Sequence, residues 1–270
     1  MSASQQHREE VDRGERFKFG ENWWKFLKTL SEDRIAAAVD NLGTMLHVAT
    51  LSGASFLDIG SGSGLSSLSA RRLGAKVHSF DYDPESVRCT KELKRRYYPD
   101  DPSWMVEQGS VLDTDFLSQL DQFDIVYSWG VLHHTGAMWQ AIDNAAAKVK
   151  PKGLLHIAIY ITQWSSPYWL TIKKFYNRSP KPVQMLLIYI FAFTRILQLL
   201  LRGRNPITTI RTYRSDRGMS WFHDIVDWVG GYPYEHASRQ ELEAHLGSQG
   251  FVLLRTRGME YLFKHTGKGL

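Results

Sequence analysis

The chain has 270 residues, of which 43% are hydrophobic, enough to bury the core of one α/β domain with an insertion or of two small domains. Its formal charge of +5 and pI near 9.2 permit attraction to anionic lipid or nucleic acid without requiring either. One cysteine, Cys89, excludes an intrachain disulfide and a cysteine-cluster metal site. The first 16 residues are polar and charged, so we predict a loosely ordered arm, without signal or membrane anchor, on a cytoplasmic enzyme.

Residues 17–27 concentrate five aromatic side chains ahead of a predicted helix. Two interpretations stay open for this aromatic segment: a helix packed on the outside of the core, or a lid over a ligand pocket. Ser31 is the predicted N-cap of the next helix, which ends near residues 51–53 and whose apolar face is Ile35, Val39, Leu42 and Leu46. Residues 1–53 are thus predicted to form an N-terminal arm with aromatic lid helices.

Strands and helices alternate over residues 54–160, the predicted core, with the regularity of a doubly wound sheet. The predicted strands are Ser55–Ile59, Lys76–Asp81, Trp104–Gln108, Phe123–Ser128 and, after a turn at 151–153, Leu154–Tyr160. The predicted helices are Leu65–Leu73, Pro84–Tyr97 and Ala137–Lys148. Residues 236–270 close the core with the helix Arg239–Gln249 and a hairpin of Phe251–Thr256 and Glu260–Lys264. We therefore predict an α/β fold, a Rossmann-like doubly wound sheet of seven strands with a helical insertion before the last helix and hairpin.

Residues 161–235 interrupt this alternation and are predicted to be an acceptor-binding insertion. Within them, residues 183–201 form an apolar run of about nineteen residues, long enough to suggest a transmembrane helix. The topology argues against a span, because strands on both sides of the run must join one sheet. On a helical wheel Gln184, Arg195, Gln198 and Arg202 share a narrow sector, so we predict an amphipathic helix with a wide apolar face. Three surroundings stay open for that face: a cap or homodimer contact, a membrane surface that would make the protein membrane-associated, and the interior of a bilayer.

The stretch Phe56–Gly64 is an apolar strand that leads into a loop with glycine at every second position, and a helix follows. This order builds a nucleotide cradle, since glycines let a ligand approach the backbone and the helix start offers unpaired N–H groups. A dinucleotide fingerprint requires glycine where Leu65 stands, and a Walker loop requires a lysine that this sequence lacks. Instead, Asp58 lies in the strand and Asp81 ends the next one, and such carboxylates suit a ribose and a cationic ligand rather than a phosphate.

The motif Asp58-Ile59-Gly60-Ser61-Gly62-Ser63-Gly64, together with Asp81, resembles the class I S-adenosylmethionine-dependent methyltransferases. The resemblance implies S-adenosylmethionine as the cofactor, with its ribose on Asp81 and its adenine beside Tyr82. The loop beneath its methionine moiety would be formed by Gly60, Ser61, Gly62 and Gly64.

Two further segments carry the resemblance. Residues 109–113 are similar to the adenine-edge segment, which implies contacts from Ser110 and Val111, although Ser110 stands where an aspartate is frequent. Residues 128–134 resemble the fourth motif of the small-molecule branch, related to quinone-biosynthesis enzymes, and imply that Ser128 and Trp129 lie near the sulfonium.

The sequence argues against nucleic acid as the methyl acceptor. Strand four is not followed by the Asn/Asp-Pro-Pro-aromatic motif of nucleic-acid amino-methyltransferases, and Cys89 is not near that strand as a cytosine nucleophile would be. No element concentrates basic and aromatic residues as nucleic acid requires, so we predict a small-molecule acceptor and no nucleic acid. Residues 217–235 combine acids, a histidine and aromatics where class I enzymes place acceptor-binding insertions, although Trp221, Ile225 and Trp228 also fit a packing face.

Methyl transfer is an in-line displacement with a neutral leaving group, so the site must supply alignment and desolvation, and a base only if the acceptor must lose a proton. The candidate bases are His133, His134, His223, Asp224 and Glu235. No spacing of His, Asp and Glu indicates a metal. We predict O-methylation of a small apolar or aromatic molecule, with S-methylation of a small thiol or sulfide as the runner-up. The alternative is a non-catalytic protein on the same fold that binds S-adenosylmethionine or a membrane surface.

Overall fold

The computed structural model describes residues 3–217 and 221–267, and seven strands within them form a single sheet. The strands are β1 (Ser55–Ile59), β2 (Lys76–Asp81), β3 (Trp104–Gln108), β4 (Phe123–Trp129), β5 (Val149–Ala158), β6 (Phe251–Arg257) and β7 (Glu260–His265). Their order is β3-β2-β1-β4-β5-β7-β6, and β7 runs antiparallel to both of its neighbours. The first five strands pair in parallel, so their carboxyl ends, and the loops that follow them, lie at one edge. The predicted Rossmann-like sheet of seven strands is confirmed.

Twelve α-helices complete the described part of the chain. Seven belong to the N-terminal region and the core: α1 (Ala3–Asp12), α2 (Gly20–Leu27), α3 (Glu32–Leu46), α4 (Leu65–Arg72), α5 (Pro84–Tyr97), α6 (Thr114–Ser118) and α7 (Met138–Ala146). Four form the insertion and one closes the core: α8 (Ser166–Arg178), α9 (Lys181–Leu201), α10 (Pro206–Arg217), α11 (Trp221–Gly230) and α12 (Arg239–Gly247). A single 3-10 turn, Leu132–His134, follows β4.

The sheet separates two hydrophobic cores because successive side chains of a strand point to opposite faces. In β1, Phe56 packs into the core shared with α3, α4 and α5, whereas Leu57 packs into the core shared with α7 and α12. All four residues Phe56–Ile59 are buried, as expected for a parallel strand covered by helices on both sides. Burial on both faces fixes the position of β1 and therefore of the glycine loop that follows it.

Two predicted boundaries differ from the structure by more than two residues. The helix α3 ends at Leu46, well before residues 51–53, because His47 adopts a left-handed conformation with φ 57° and its amide bonds back to the last turn. The strand β5 begins at Val149, so residues 151–153 are not a turn ahead of it. They form a bulge in β5. Phe123 of β4 pairs with Val149 and Ile125 pairs with Leu154, so one intervening residue of β4 lies opposite four intervening residues of β5.

Residues 3–16 are not a loosely ordered arm, so the prediction is wrong for this part of the chain. Residues Ala3–Asp12 form the helix α1, whose Ser4 donates a 2.6 Å hydrogen bond from its hydroxyl to the side chain of Gln108 in β3. His7, on the same helix, is buried with its ring 5.3 Å from that of Tyr82. Polar contacts with the end of the sheet therefore hold α1, which explains why its sequence carries little apolar pattern.

Candidate active site

Two glycines of the loop after β1 adopt conformations that a side chain would disturb. Gly60 has φ 74°, and a Cβ atom there would lie 2.4 Å from a methyl group of Val131, in the segment that follows β4. Gly62 has φ 54°, and its Cβ would lie 3.1 Å from the indole of Trp23. Both positions favour glycine sterically and conformationally, so the loop exposes bare backbone to the space above it.

Two buried carboxylates flank this loop. Asp81, at the end of β2, accepts hydrogen bonds of 2.9 Å from the amides of Gly62 and Asp83, and burial raises its pKa to about 7. Asp58 accepts a hydrogen bond from the hydroxyl of Ser67, and burial raises its pKa to about 6. Neither carboxylate has a lysine or arginine partner in the described residues. The loop therefore suits a ligand with positive charge and free ribose hydroxyls, and it does not suit a phosphate.

A cavity of about 500 Å³ opens above the carboxyl ends of β1, β2 and β4. Most of the predicted cofactor residues line it, namely Asp58, Gly60, Ser61, Gly62, Asp81, Tyr82, Ser110, Val111 and Trp129. Two do not. Gly64 is the N-cap of α4, and the buried hydroxyl of Ser128 donates a 3.0 Å hydrogen bond to the carbonyl of Ile59, where it ties β4 to β1. Ser128 therefore supports the loop rather than facing a ligand.

The N-terminal region contributes to the cavity wall. Phe17, Phe19 and Trp23 line the cavity, whereas Phe26 and Leu27 are buried below them. The two interpretations of the aromatic segment thus each describe part of it, a lid for the first three residues and outer packing for the last two. Sequence reasoning did not predict the two other N-terminal lining residues, His7 and Arg16.

Arg16 connects the N-terminal region to both ends of the cavity. Its guanidinium lies 4.8 Å from the ring centroid of Tyr82 and forms a 2.7 Å ion pair with Glu10. Its Nη1 atom also donates a 3.0 Å hydrogen bond to the carbonyl of His134. Glu10 in turn accepts a 3.2 Å hydrogen bond from the Tyr82 hydroxyl. These contacts close α1 over the cavity wall on the side of Tyr82.

The two adjacent histidines after β4 both line the cavity, and burial lowers the pKa of each ring. His133 is fully buried against Tyr160, with ring centroids 3.9 Å apart, and neither of its ring nitrogens has a well-formed hydrogen bond within the described residues. In His134, Nδ1 lies 2.5 Å from the carbonyl oxygen of Pro233, so Nδ1 carries the proton and Nε2 is left as an acceptor. The pKa of His134 falls to about 3, so this ring is neutral at pH 7.

Three of the predicted bases belong to residues 217–235, and the structure separates them. Asp224 lines the cavity, while the side chain of His223 lies outside the described part of the chain. Glu235 does not line the cavity. Its carboxylate accepts hydrogen bonds from the amides of Gly136, at 2.9 Å, and Met138, at 3.1 Å, at the start of α7. The structure therefore places Glu235 apart from the cavity, with its charge at a helix N-terminus.

An acid that the prediction omitted, Asp227, lines the cavity one turn after Asp224. Asn22, from α2, donates a 2.5 Å hydrogen bond to its Oδ1 atom. Burial raises the pKa of Asp227 to about 7, and the nearby Asp224 raises it further while Asn22 and Lys173 lower it. The spacing of Asp224 and Asp227 on one helix face could have indicated this residue from the sequence.

A second omitted residue, Lys173 of α8, is fully buried behind the cavity wall. Its ammonium donates a hydrogen bond to the carbonyl of Trp228, and burial lowers its pKa to about 7. Four aromatic rings surround the ammonium, at centroid distances of 4.9 Å for Trp228, 5.0 Å for Tyr234, and 6.0 Å for Tyr160 and Trp169. Tyr160, Trp228 and Tyr234 also line the cavity, so the rings that hold Lys173 form part of its wall.

Comparison with known families identifies the central part of the chain. Residues 57–157, which run from β1 into β5, match a family described as a methyltransferase domain. Ubiquinone biosynthesis O-methyltransferase from a Methylobacterium species is 29% identical over 108 residues, which are 40% of this chain and 41% of that protein. Ribosomal protein L11 methyltransferase from Methylococcus capsulatus is 39% identical over 71 residues, 26% of this chain and 24% of that protein. The chain therefore aligns with less than half the length of these curated relatives, whose names give different acceptors.

Solved structures extend the similarity in fold to most of the chain. Magnesium protoporphyrin IX methyltransferase from Synechocystis, solved with bound S-adenosylhomocysteine, has a TM-score of 0.50 at 13% identity and covers 86% of this chain and 82% of its own. An O-methyltransferase family protein from Burkholderia thailandensis has a TM-score of 0.52 at 13% identity and covers 85% and 56%. At this identity the likeness establishes the fold alone.

Proposed function

We propose that this chain, whose residues 57–157 match a methyltransferase domain, is a class I S-adenosylmethionine-dependent methyltransferase that methylates an oxygen atom of a small apolar or aromatic acceptor. One observation carries the proposal: a single cavity joins the glycine loop to a group of aromatic rings with titratable side chains. When bound, the cofactor supplies an electrophilic methyl group on a sulfonium whose departure leaves a neutral thioether. Asp81 would hold its ribose, and the loop from Gly60 to Gly62 would lie beneath its methionine moiety.

The far end of the cavity has the character of an acceptor site. Its wall carries Phe17, Phe19, Tyr160, Trp228 and Tyr234. Such rings exclude water and pack on a flat apolar molecule, and this supplies the alignment and desolvation on which a displacement at a methyl group depends. This composition supports an aromatic or apolar acceptor over a strongly charged one.

An oxygen acceptor must lose a proton, and we assign that proton to Asp227. A general base works best when its pKa lies near the working pH, and the pKa of Asp227 is raised to about 7 whereas that of His134 is lowered to about 3. The hydrogen bond from Asn22 fixes the carboxylate of Asp227 in the wall. The Nε2 atom of His134 remains an acceptor that can orient a hydroxyl group without taking its proton.

The runner-up is methylation of a small thiol or sulfide. A thiol ionises more readily than a phenol and a sulfide has no proton to lose, so such acceptors need no buried base. A non-catalytic protein would likewise need neither Asp227 nor His134. The titratable groups at the ring-lined end of the cavity therefore favour the oxygen acceptor over both alternatives.

The test uses acceptors matched in shape. Purified protein is incubated with deuteromethyl S-adenosylmethionine and with phenol, catechol, thiophenol or aniline, and methylated products are identified by mass spectrometry. We expect O-methyl products from the phenols and their loss in Asp81→Ala. Faster transfer to thiophenol would favour the runner-up. Tight cofactor binding by calorimetry without transfer to any acceptor would favour the binding protein.

A further inference from the structure

The helix α9 turns its widest apolar face away from the protein. Eight large apolar side chains on it are exposed, among them Phe193 at 66% and Leu201 at 79%; the others are Met185, Leu186, Tyr189, Ile190, Leu197 and Leu200. Only 11% of its most apolar window is buried, and by length and composition this helix is able to cross a membrane. We call the eight residues the outer face of α9.

The inner side of α9 is narrow and partly polar. Ile188 and Ala192 are buried against Ile225 and Val229 of α11. Beside them, the amide of Gln184 donates hydrogen bonds of 3.1 and 3.0 Å to the carbonyls of Tyr176 and Ser179. A helix on a water-soluble surface normally buries its apolar face and exposes its polar one. The arrangement in α9 is closer to the reverse, so its outer face calls for an apolar environment.

The insertion around α9 accounts for the net positive charge of the chain. Residues 161–215 contain nine lysine and arginine residues and no aspartate or glutamate. The rest of the chain contains 24 lysine and arginine residues against 28 aspartate and glutamate residues, a formal charge of −4. Eight of the nine have described side chains: Lys173 is buried, and the exposed ones are Lys174, Arg178, Lys181, Arg195, Arg202, Arg204 and Arg211. Several of them flank the two ends of α9, where they would meet lipid headgroups if the helix lay in a membrane surface.

We propose that α9 lies in the plane of an anionic lipid bilayer, with its outer face among the acyl chains and the flanking basic residues at the headgroups. A second copy of the chain fits less well, because a symmetric contact through this segment would bring two strongly positive surfaces together. A bilayer span fits less well for two reasons. The helix α9 packs on α11 through Ile188 and Ala192, and the strands before and after it in the chain, β5 and β6, belong to one sheet and so must lie on the same side of a membrane.

The helix α11 lies between the outer face of α9 and the cavity, and this position bears on the identity of the acceptor. The inference drawn from it rests on the proposed function. Ile225 and Val229 of α11 pack on α9, whereas Asp224, Asp227 and Trp228 line the cavity. One helix thus separates the membrane-facing element from the acceptor end of the cavity. An acceptor dissolved in the bilayer would reach that end over a short path. We therefore infer that the acceptor is an amphiphile that dissolves in the membrane and carries a hydroxyl group.

The test is vesicle flotation of the full chain with phosphatidylcholine alone or mixed with phosphatidylglycerol. We expect flotation with the mixed vesicles, and its loss in the triple variant Tyr189→Gln, Phe193→Gln, Leu197→Gln. The matched control is Met105→Gln with Leu254→Gln, two side chains on the sheet that are 56% and 53% exposed. The charge variant Lys181→Glu, Arg202→Glu, Arg204→Glu should weaken binding at least about a hundredfold, since three basic residues near an anionic surface become acidic.

Further measurements keep the test decisive if the triple variant folds poorly. A fluorescent label on Phe193→Cys should shift to the blue when mixed vesicles are added, and buried Cys89 should not compete for the label. Two results would overturn the proposal directly: fluorescence that does not shift, or equal flotation of the triple variant and the wild type. A third would favour a dimer contact instead and would also overturn it. In that case the wild type forms dimers in analytical ultracentrifugation, the triple variant is monomeric, and neither floats with vesicles. The affinity for S-adenosylmethionine is measured in parallel. Flotation without cofactor binding would contradict the proposed function alone, and cofactor binding without flotation would contradict the membrane proposal alone.

Discussion

The backbone amide of Gly62 donates a 2.9 Å hydrogen bond to the Oδ2 atom of Asp81. This bond joins the glycine loop after β1 to the end of β2, two segments 19 residues apart in the chain. The Oδ1 atom of the same carboxylate accepts from the amide of Asp83, which caps α5. Asp81 therefore organises the loop before any ligand is bound, as well as presenting a carboxylate to it.

Replacing Asp81 should weaken cofactor binding. We expect Asp81→Ala to raise the dissociation constant for S-adenosylmethionine at least about tenfold, which corresponds to about 1.4 kcal/mol, because both the ribose contact and the tie to Gly62 are lost. Isothermal titration calorimetry measures the effect. Asp40→Ala, an exposed acid on α3, is the control and should bind normally. Unchanged affinity in Asp81→Ala would contradict the assignment of Asp81 to the ribose.

Glu235 should prove structural rather than catalytic. Its carboxylate bonds to the amides of Gly136 and Met138 at the N-terminus of α7. We expect Glu235→Ala to lower the free energy of unfolding by about 1 kcal/mol, typical for loss of a helix cap, while kcat stays within about threefold of the wild type. Urea unfolding and steady-state kinetics with the best acceptor measure the two quantities. A loss of kcat with unchanged stability would restore Glu235 as a base.

The core was predictable because local patterns determine it. The bounds of β1, β2 and β3 agree with the sequence prediction to the residue, since buried parallel strands read as short apolar runs between turn residues. The end of α3 was not predictable, because His47 closes it in a left-handed conformation that most residues other than glycine avoid. The helix α1 was missed because its contacts, such as Ser4 with Gln108, are formed with residues distant in the chain.

The same contrast divides the site. The cofactor residues follow a contiguous motif, so most of them were identified from the sequence. The acceptor end is assembled by long-range contacts instead. Asn22 and Asp227, which are 205 residues apart, form one hydrogen bond, and Lys173 reaches the carbonyl of Trp228 from another helix. Burial of these groups, which sets their pKa values, has no local signature in the sequence.

Asp227 should control how turnover depends on pH. Its pKa lies near 7, and only its carboxylate form accepts a proton, so kcat of the wild type should rise with pH through about 7 and then level. We expect Asp227→Asn to lower kcat about a hundredfold and to remove the rise, with cofactor affinity unchanged.

Two variants separate Asp227 from its neighbours. Because the charge of Asp224 raises the pKa of Asp227, Asp224→Asn should move the midpoint of the profile to lower pH and keep most of kcat. If Asp227→Asn retains the wild-type profile and His134→Gln abolishes turnover, the base is His134 and the assignment to Asp227 is wrong.

Lys173 should make stability depend on pH above neutrality. Burial lowers its pKa to about 7 in the folded state, whereas an unfolded lysine has a pKa of about 10.4. Between these values the unfolded chain binds more protons, so the free energy of unfolding rises with pH by up to about 1.4 kcal/mol per unit. This contribution is lost as pH falls through the folded pKa. Asp227, whose raised pKa is also about 7, acts in the opposite direction, but over the range from its unfolded pKa of about 3.9 up to about 7.

Urea unfolding between about pH 7 and about pH 9 isolates the lysine, because Asp227 is ionised in both states over most of that range. We expect Lys173→Met to remove the rise in stability that the wild type shows across the range. Lys174→Met is the matched control, since Lys174 is the exposed neighbour on the same helix, and it should keep the wild-type slope. Parallel curves for the wild type and Lys173→Met would mean that the ammonium keeps an ordinary pKa, and that the four rings and the Trp228 carbonyl fully compensate its burial.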